Sequence, residues 1–248
     1  LMLSLAADMA QNPAFDQGEI DRRRSQTLSA LDVSYDDPDY LAAMVFERLV
    51  YGFHPYGRPS EGTRDSVRRL TRDDLVAFHK KYFQPNRIIL GVVGDFDSKE
   101  MLAKIKEAFG NWPKGPDLKD EPAAYQTAVK PGIYYVQKED MTQSDIIMGH
   151  LGIMKNNPDI FAVDVMNEAW GGGFAARLFS NVRSKKGLAY SVRGAIDSNY
   201  DYPGTFNVWM TTKTETTAAG IDALKVEIGD LSKSPLTNDE VQRAKESI

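Results

Sequence analysis

Residues 171–190 read Gly-Gly-Gly-Phe-Ala-Ala-Arg-Leu-Phe-Ser-Asn-Val-Arg-Ser-Lys-Lys-Gly-Leu-Ala-Tyr, and this segment indicates more about the fold than any other part of the chain. Leu178 and Val182 have the i, i+4 spacing of one apolar helix face, so the pattern predicts a helix over residues 174–186. Gly187 is a typical residue to end that helix, because glycine adopts positive φ without steric cost.

Two polar side chains of this segment could bind a peptide. Arg183 follows the apolar helix face, so its guanidinium can leave the core and donate to a peptide carbonyl. Tyr190 opens an alternating strand pattern, and its phenol can donate to an oxygen that becomes negative in a transition state. Both side chains can face one groove. From spacing alone, a solvated helix arginine and a half-buried strand tyrosine are the commoner roles.

Composition limits the classes of function. The chain has 248 residues, of which 42% are hydrophobic and 26% charged, as in soluble globular proteins. Its net charge of −5 gives no electrostatic reason to expect a nucleic-acid partner. The absence of cysteine excludes disulfides and cysteine-ligated metal. No apolar run is long enough for a membrane span, and both ends of the sequence lie inside helical patterns, so we expect a fragment truncated at both ends.

The fold class predicted from these patterns is α+β, with two related α/β sandwich domains. We expect residues 1–110 to form the remainder of a first domain, 111–131 a linker rich in proline and charge, and 132–248 a second domain. The similar helix starts at 70–75 and 236–241 favour a duplication.

Alternation and apolar runs predict the strands, and side-chain oxygens before apolar periodicity predict the helix starts. Asp37, Thr71 and Asp97 are each expected to cap a helix. The predicted strands are 86–94, 132–137, 145–150, 190–196 and 205–212, and the predicted helices of the second domain are 159–170, 174–186 and 217–231.

Side chains that commonly carry chemistry are scarce. The three histidines, His54, His79 and His150, are not spaced as paired metal ligands, and a structural role is expected for each. There is no Gly-x-Ser-x-Gly elbow for a hydrolase triad, and no phosphate-binding loop, because Gly171-Gly-Gly173 is not followed by Gly-Lys-Ser/Thr.

The order of several motifs resembles the insulinase/pitrilysin/mitochondrial-processing-peptidase family of zinc peptidases. Asn12-Pro-x-Phe15, Asp37-Pro38, the loop at 51–59 and the segment 86–97 resemble that family's first domain, and 171–190 resembles the Arg/Tyr segment of its second domain. The resemblance implies that Arg183 and Tyr190 are the catalytic pair that holds substrate. It further implies that Gly171, Gly172, Gly173 and Phe174 bind an extended peptide substrate.

The resemblance also locates where a third zinc ligand belongs, on the helix after Asn12-Pro13. Arg23 stands at that pattern's acidic position and Ala30 at its ligand position, and neither side chain can bind zinc. Asp32 is two residues away, about 200° round a helix of 3.6 residues per turn. The His-x-x-Glu-His motif that carries the other ligands would lie upstream of Leu1. We therefore expect no metal and no cofactor in this chain, with zinc on a partner subunit.

The function implied is that of a substrate-binding subunit which forms a heterodimeric clamshell with a zinc-bearing relative. One alternative is a complete zinc metalloendopeptidase with its His-x-x-Glu-His motif upstream. Another is a scaffold without proteolytic function, as the family's relatives in respiratory complexes suggest. The sequence leaves the compartment open, and a bacterial periplasm is an expectation from the family alone.

Overall fold

A computed structural model describes residues 1–119 and 130–248. Its α-helices are α1 (Met2–Gln11), α2 (Gln17–Asp36), α3 (Pro38–Tyr51), α4 (Arg64–Arg69), α5 (Arg72–Tyr82), α6 (Ser98–Phe109), α7 (Ile160–Asn167), α8 (Thr217–Leu231) and α9 (Asn238–Ser247). Its strands are β1 (Gln143–Leu151), β2 (Ile153–Met154), β3 (Ser191–Asn199) and β4 (Pro203–Lys213). There are two π-helical turns: π1 (Glu168–Gly172), which includes the first two residues of the glycine-rich segment, and π2 (Phe179–Lys185), which follows that segment.

The described residues form two compact units. One unit combines Leu1–Asp32 with the segment that begins at Glu61, and the other combines Val33–Ser60 with the described residues from 130 onward. The domain boundaries predicted from sequence stay a prediction, and they differ from this division in the placement of residues 33–60. Part of the predicted linker, residues 120–129, lies outside the described residues.

The second unit is built on a four-stranded sheet of order β1-β4-β3-β2. β4 pairs antiparallel with β1 and β3, and β2 pairs parallel with β3. The register aligns Met210 with Ile146 on one side and with Val192 on the other. Because side chains alternate across a strand, these three residues share one face of the sheet.

That face carries the core of the second unit. The core cluster contains Trp170 and apolar residues of the helix at 177–185, packed against residues of β3 and β4. Its large apolar side chains are almost fully buried. Its members are Trp170, Leu178, Val182, Ala189, Val192, Phe206, Val208, Met210, Ala223 and Leu224. Burial of Leu or Val side chains of this size contributes about 1.5–3 kcal/mol each, so this layer fixes π2 and α8 on the sheet.

The opposite face of the same sheet is covered by α3. Asp39, in the first turn of α3, interacts with Asp145, whose side chain alternates away from the core face. The hydroxyl of Tyr51, at the end of α3, donates to the carbonyl of Pro203 at 3.0 Å. The second unit is therefore an α/β sandwich with helices on both faces of its sheet, and the α+β fold class is confirmed.

Helices are the regular elements in the described part of the first unit. Gln11 of α1 donates to the carbonyl of Ala108 at 3.1 Å, which joins α1 to α6. His79 of α5 bonds the carbonyl of Ala10 at 2.8 Å, which joins α5 to α1. These long-range bonds satisfy helix-terminal carbonyls that would otherwise need water.

Two predicted strands are wrong. Residues 86–94 hold only a short 3₁₀ turn at Pro85–Arg87 followed by irregular chain, and residues 132–137 are irregular as well. The side chain of Ile89 is 99% exposed. A strand needs a neighbour for its backbone hydrogen bonds, and no strand of the described residues pairs with either segment.

The signals for helix starts were more accurate, because they act within one turn. Asp37 and Asp97 accept bonds from backbone N–H groups at the starts of α3 and α6, as predicted. Thr71 and Thr237 each form a capping box with the residue three positions on. The two similar sequences at 70–75 and 236–241 therefore open helices in the same way.

Candidate functional site

Arg183 lies on π2, which is held to the sheet by its neighbours. Leu178 and Val182 are fully buried on the inner side of this helix. The guanidinium of Arg183 stacks over the ring of Phe179, one turn earlier, at 4.6 Å from the ring centroid. Among the described residues no carboxylate lies within ion-pair distance of Arg183. The structure thus presents a half-buried cation whose hydrogen-bond donors can take an acceptor from outside.

The chain then turns sharply at Gly187 and delivers Tyr190 to the sheet. Gly187 has φ of +63°, and its N–H donates to the carbonyl of Arg183 at 3.0 Å. The N–H of Tyr190 donates to the carbonyl of Thr211 at 2.8 Å, just before β3 begins. The Tyr190 side chain is 73% exposed. Tyr190 directly precedes β3 and lies two positions before Val192, so continued alternation would direct its side chain to the face of the sheet that carries Val192.

The helix predicted over 174–186 is shorter than expected. Residues 173–176 form a turn in which the N–H of Ala176 donates to the carbonyl of Gly173 at 3.0 Å, and helix begins only at Arg177. Its main part is π-helical, Phe179–Lys185, a geometry with no sequence signature. Wider turns of this kind are rare and occur often at functional sites.

The three glycines have different environments. Gly171 is buried, and a Cβ built on it would come within 2.0 Å of the carbonyl oxygen of Gly194 on β3. The close backbone approach expected of this segment is therefore present at Gly171, where it serves packing on the sheet. Gly172 is exposed and Gly173 partly exposed, and none of the three has positive φ.

Phe174 stands at the tip of the turn and is 80% exposed. Its ring contacts that of Phe179 edge-to-face, with centroids 4.9 Å apart and an interplanar angle of 83°. Edge-to-face contact is a favoured geometry for aromatic pairs. Phe174, Phe179 and Arg183 thus form a connected aromatic and cationic surface. We call it the Phe–Phe–Arg surface.

A polar network holds the start of the helix that carries Arg183. Arg177 forms a bidentate ion pair with Glu240 of α9 at 2.6 and 2.7 Å, and it also donates to the carbonyls of Ser234 and Pro235. The hydrogen bond from Arg177, together with those from Thr237, lowers the pKa of Glu240 to about 2, and the same pair raises the pKa of Arg177. This pair holds α9 against the start of the helix.

A second link joins π2 to α8. The amide of Asn181 donates to Glu227 at 2.8 Å, and Lys186 lies 3.6 Å from the same carboxylate. Glu227 is almost fully buried, so its charge needs both partners. Together the two links leave π2 little freedom to rotate and fix the position of Arg183.

Each histidine has a local structural contact. Nδ1 of His54 accepts from the N–H of Tyr56 at 3.1 Å within an aromatic cluster, and burial lowers the pKa of this imidazole. His79 stacks on Phe83, and His150 packs against Phe206. The structural role expected for the histidines agrees with these contacts.

The side chains that would be needed as zinc ligands do not come together among the described residues. Arg23 and Ala30 are exposed residues of α2, and Asp32 is bound to the guanidinium of Arg64 at 2.6 Å. Within residues 1–119 and 130–248, no group of three histidine, cysteine or acidic side chains is arranged to hold a metal ion. The side chains described here do not fit a catalytic zinc, which takes three protein ligands.

Sequence reasoning proposed Arg183 and Tyr190, which stay a prediction, and it missed the residues that contact their helix. Phe179 precedes Arg183 by four residues, a spacing that brings side chains together on a helix and could have indicated the stacking. Arg177 and Glu240 are 63 residues apart, and no local pattern could have paired them.

With this geometry established, the comparisons with known proteins identify the family. The profile of the Peptidase M16 inactive domain matches residues 69–248. The chain belongs to the peptidase M16 family, which confirms the predicted family of zinc peptidases. Across the part of the chain that the structure describes, no helix is long and apolar enough to cross a membrane.

Relatives are similar over the full length of the chain. It is 29% identical to an uncharacterized zinc protease of Streptomyces coelicolor, over 98% of this chain and 54% of that protein. It is 28% identical to an uncharacterized zinc protease of Mycobacterium leprae, over 100% of this chain and 56% of that protein. The chain thus spans about half the length of the curated relatives that it matches.

Solved structures share the fold. A peptidase M16 inactive domain from Pseudomonas fluorescens superposes with a TM-score of 0.85 at 27% identity, over 99% of this chain and 59% of that one. A protease from Helicobacter pylori has a TM-score of 0.83 at 22% identity, over 99% of this chain and 60% of that one. The second likeness shows the fold alone.

Proposed function

We propose that this chain belongs to the substrate-holding subunit of an M16 zinc peptidase. Arg183 and Tyr190 would bind backbone carbonyls of an extended peptide, and a zinc-bearing relative would supply the metal and the water that it activates. The observation that carries the proposal is the stacked Arg183. Its guanidinium has no carboxylate partner among the described residues. The nearby cations Arg177 and Lys186 are each paired with a glutamate.

The roles of the two side chains differ. Arg183 offers a planar set of donors that can hold a carbonyl oxygen, and its stacking on Phe179 fixes the plane of the guanidinium. Tyr190 presents a phenol on an exposed position anchored by a backbone hydrogen bond. A phenol there can donate to an oxygen as negative charge develops on it. Gly172 and Gly173 would let the peptide backbone pass close to the chain.

The zinc content of the full-length protein tests the assignment of subunits. We expect no bound zinc when the protein is purified alone, and peptidase activity only after a zinc-bearing relative is added. One equivalent of zinc in the lone protein, with activity, would contradict the proposal and favour a complete zinc peptidase. That second candidate has support from the printed names of the relatives, which are zinc proteases about twice as long as this chain.

Substitutions of the pair test its role in catalysis. In the reconstituted enzyme, Tyr190→Phe should lower kcat by about 100-fold, the usual effect of removing one donor to a developing oxyanion. Arg183→Lys keeps the charge but loses the planar donor set, and kcat/KM should fall by at least about 10-fold. Tyr200→Phe is the matched control, because Tyr200 is also highly exposed in the same unit. Full activity in both site variants would instead support a scaffold.

A further inference from the structure

A polar cavity of about 380 Å³ lies in the second unit, between the helix that carries Arg183, the end of α8 and the start of α9. Arg183, Phe174 and Phe179 are not among the residues that line it. Small-molecule sites in proteins have volumes of about 300–1,000 Å³. The cavity therefore has room for a small ligand, and it is separate from the proposed contacts of Arg183 with a peptide.

Some of the charges on the cavity wall already have partners. Arg177 and Glu240 form the bidentate ion pair described above. Glu227 accepts from Asn181 and lies 3.6 Å from Lys186. These contacts hold the surrounding helices together, so they fix the walls of the cavity before any ligand enters it. A preformed wall lowers the ordering entropy that binding would cost.

Three other charged side chains of the lining have hydrogen-bonding capacity to spare. Lys185 donates to the amide oxygen of Asn181 at 2.9 Å, which leaves two N–H groups of its ammonium. Arg243 of α9 forms no ion pair or hydrogen bond through its side chain within the described part of the chain. The carboxylate of Asp230 accepts no hydrogen bond from a described residue, although its charge helps to raise the pKa of Arg177. The cavity therefore offers available charges of both signs.

Trp170 adds a hydrogen-bond donor without a partner. This residue lines the cavity and is only 1% exposed, and none of the described residues accepts from its Nε1–H. Atoms Cζ3 and Cη2 of the indole lie against Gly194 of β3, so the ring that contains Nε1 is at the end away from Gly194. A buried donor without an acceptor is destabilising, and most such groups in proteins are satisfied. A ligand oxygen that reached this N–H would satisfy it.

The charges and the size of the cavity indicate which ligand would fit. Three basic and three acidic side chains line it, so it carries no net charge that would attract a polyanion. A sphere of this volume is about 9 Å across, and an extended chain advances about 3.3 Å per residue. A peptide of two residues would therefore fit with both ends inside. Its ammonium would pair with Asp230, and its carboxylate with Lys185 and Arg243.

We propose that this cavity is a binding site for a dipeptide with free amino and carboxyl termini. Asp230 recognises the ammonium, Lys185 and Arg243 recognise the carboxylate, and Trp170 donates to an oxygen of the peptide. The site needs neither Arg183 nor a metal, so it does not depend on the proposed function. The ligand would join the helix of Arg183 to α8 and α9, and its binding should raise the melting temperature of the protein.

Alanyl-alanine tests the site, with its binding to the full-length protein measured by isothermal titration calorimetry. Two analogues remove one charge each: acetyl-alanyl-alanine lacks the ammonium, and alanyl-alanine amide lacks the carboxylate. Asp230→Asn should weaken binding of alanyl-alanine about fivefold, the equivalent of ~1 kcal/mol for a partly exposed charge pair. The same variant should not change binding of the acetylated peptide. Arg243→Gln should weaken alanyl-alanine to a similar extent and leave binding of the amide unchanged.

Matched controls lie on the same two helices. Asp222→Asn on α8 and Lys245→Gln on α9 each remove one exposed charge that does not line the cavity, and neither should alter the binding. Arg183→Ala should also bind alanyl-alanine as the unmodified protein does, because Arg183 lies outside the lining.

Two results would overturn the proposal. One is the absence of binding, and of any rise in melting temperature, at about 10 mM alanyl-alanine. The other is binding that Arg183→Ala abolishes while Asp230→Asn and Arg243→Gln leave it unchanged, since the dipeptide would then occupy the substrate contacts proposed above. If Asp230→Asn weakened the free and the acetylated peptide equally, the ammonium contact assigned to it would be wrong. The expected pattern would establish the site whether or not the protein takes part in proteolysis.

Discussion

Arg183 is stabilised by the ring of Phe179, and none of the described carboxylates forms an ion pair with it. Stacking on Phe179 contributes about 0.5–2 kcal/mol and leaves the hydrogen-bond donors of the guanidinium available. Arg177 is the opposite case, because Glu240 and two carbonyls occupy its donors. Two arginines six residues apart thus differ: Arg177 holds the helix in place, and Arg183 keeps its donors available for the substrate contact that we propose.

The Arg177–Glu240 pair gives the first stability prediction. At pH 7, Glu240→Gln should lower the free energy of unfolding by about 2 kcal/mol, since it replaces a charge-assisted bidentate pair in a mostly buried position. The folded-state pKa of Glu240 is lowered from 4.5 to about 2, so the contribution is complete above pH 4.5 and disappears as pH falls through about 2. Urea unfolding as a function of pH measures it.

Glu246→Gln, on the same helix but exposed, is the control and should change stability by less than about 0.5 kcal/mol. A deficit of Glu240→Gln that stayed constant from pH 7 to pH 2 would show that the ion pair is not its cause.

At the scale of elements, the glycines around π2 determine how the helix enters and leaves the sheet. Gly171→Ala should lower the free energy of unfolding by about 3 kcal/mol, because its Cβ would meet the Gly194 carbonyl oxygen at 2.0 Å and a backbone would have to move. Gly172→Ala should cost less than about 1 kcal/mol, since its nearest obstacle is the movable carboxylate of Glu168. Equal losses in thermal unfolding would contradict this packing.

Replacing the glycine that follows π2 and a glycine inside α8 by alanine should change stability in opposite directions. Gly187 and Gly229 both have open space around an added Cβ, but Gly187 has φ of +63° and Gly229 lies inside α8. Gly187→Ala should therefore destabilise by about 1 kcal/mol through backbone strain. Gly229→Ala should stabilise by about 0.5–1 kcal/mol through helix propensity. Urea unfolding of both variants checks the pair, and the same sign in both would refute the explanation.

Local signals made the elements of the second unit predictable in order. The strand patterns at 145–150, 190–196 and 205–212 correspond to β1, β3 and β4, and 217–231 matches α8. These patterns depend only on alternation or on a helical period within a few residues. The apolar run at 86–94 failed because a strand also requires a partner, which the run itself does not specify.

The candidate site was predictable in part for the same reason. Gly187 was identified as the end of the helix from its residue type, and the structure confirms it. The turn that exposes Phe174 and the π-helical geometry around Arg183 have no distinctive sequence pattern. The adjacent Leu178 and Val182 belong to the core on the sheet, so this segment is subject to tertiary contacts that a local pattern does not contain.

At the scale of the whole molecule, α3 is the feature that sequence could not place. It follows α2 directly in the chain, yet it packs on the sheet formed by residues more than 90 positions later. The carboxyls of Asp39 and Asp145 meet in this contact, with Asp37 and Arg193 nearby. Burial first, and then repulsion from Asp145, raise the pKa of Asp39.

This carboxyl pair predicts a dependence of stability on pH. Because the folded-state pKa of Asp39 is raised above 3.8, its favourable contribution is complete below that pH and is lost as pH rises through the raised value. Asp39→Asn should therefore raise the melting temperature by roughly 1–3 °C at pH 7 and have no effect near pH 3. Asp201→Asn, exposed in the turn between β3 and β4, removes the same charge and should not reproduce the gain.

The position of α3 also restricts how such a chain can be recombined. A crossover between related genes at the segment 111–131 would combine the α3 of one parent with the sheet of the other, because α3 is encoded upstream of that segment and the strands downstream. The hydrogen bond from Tyr51 to Pro203 and the contact between Asp39 and Asp145 would then each join residues from two different parents. Chimeras with a crossover before residue 33 would keep the helix and its sheet from one parent. The modular unit of this protein is thus discontinuous in its gene.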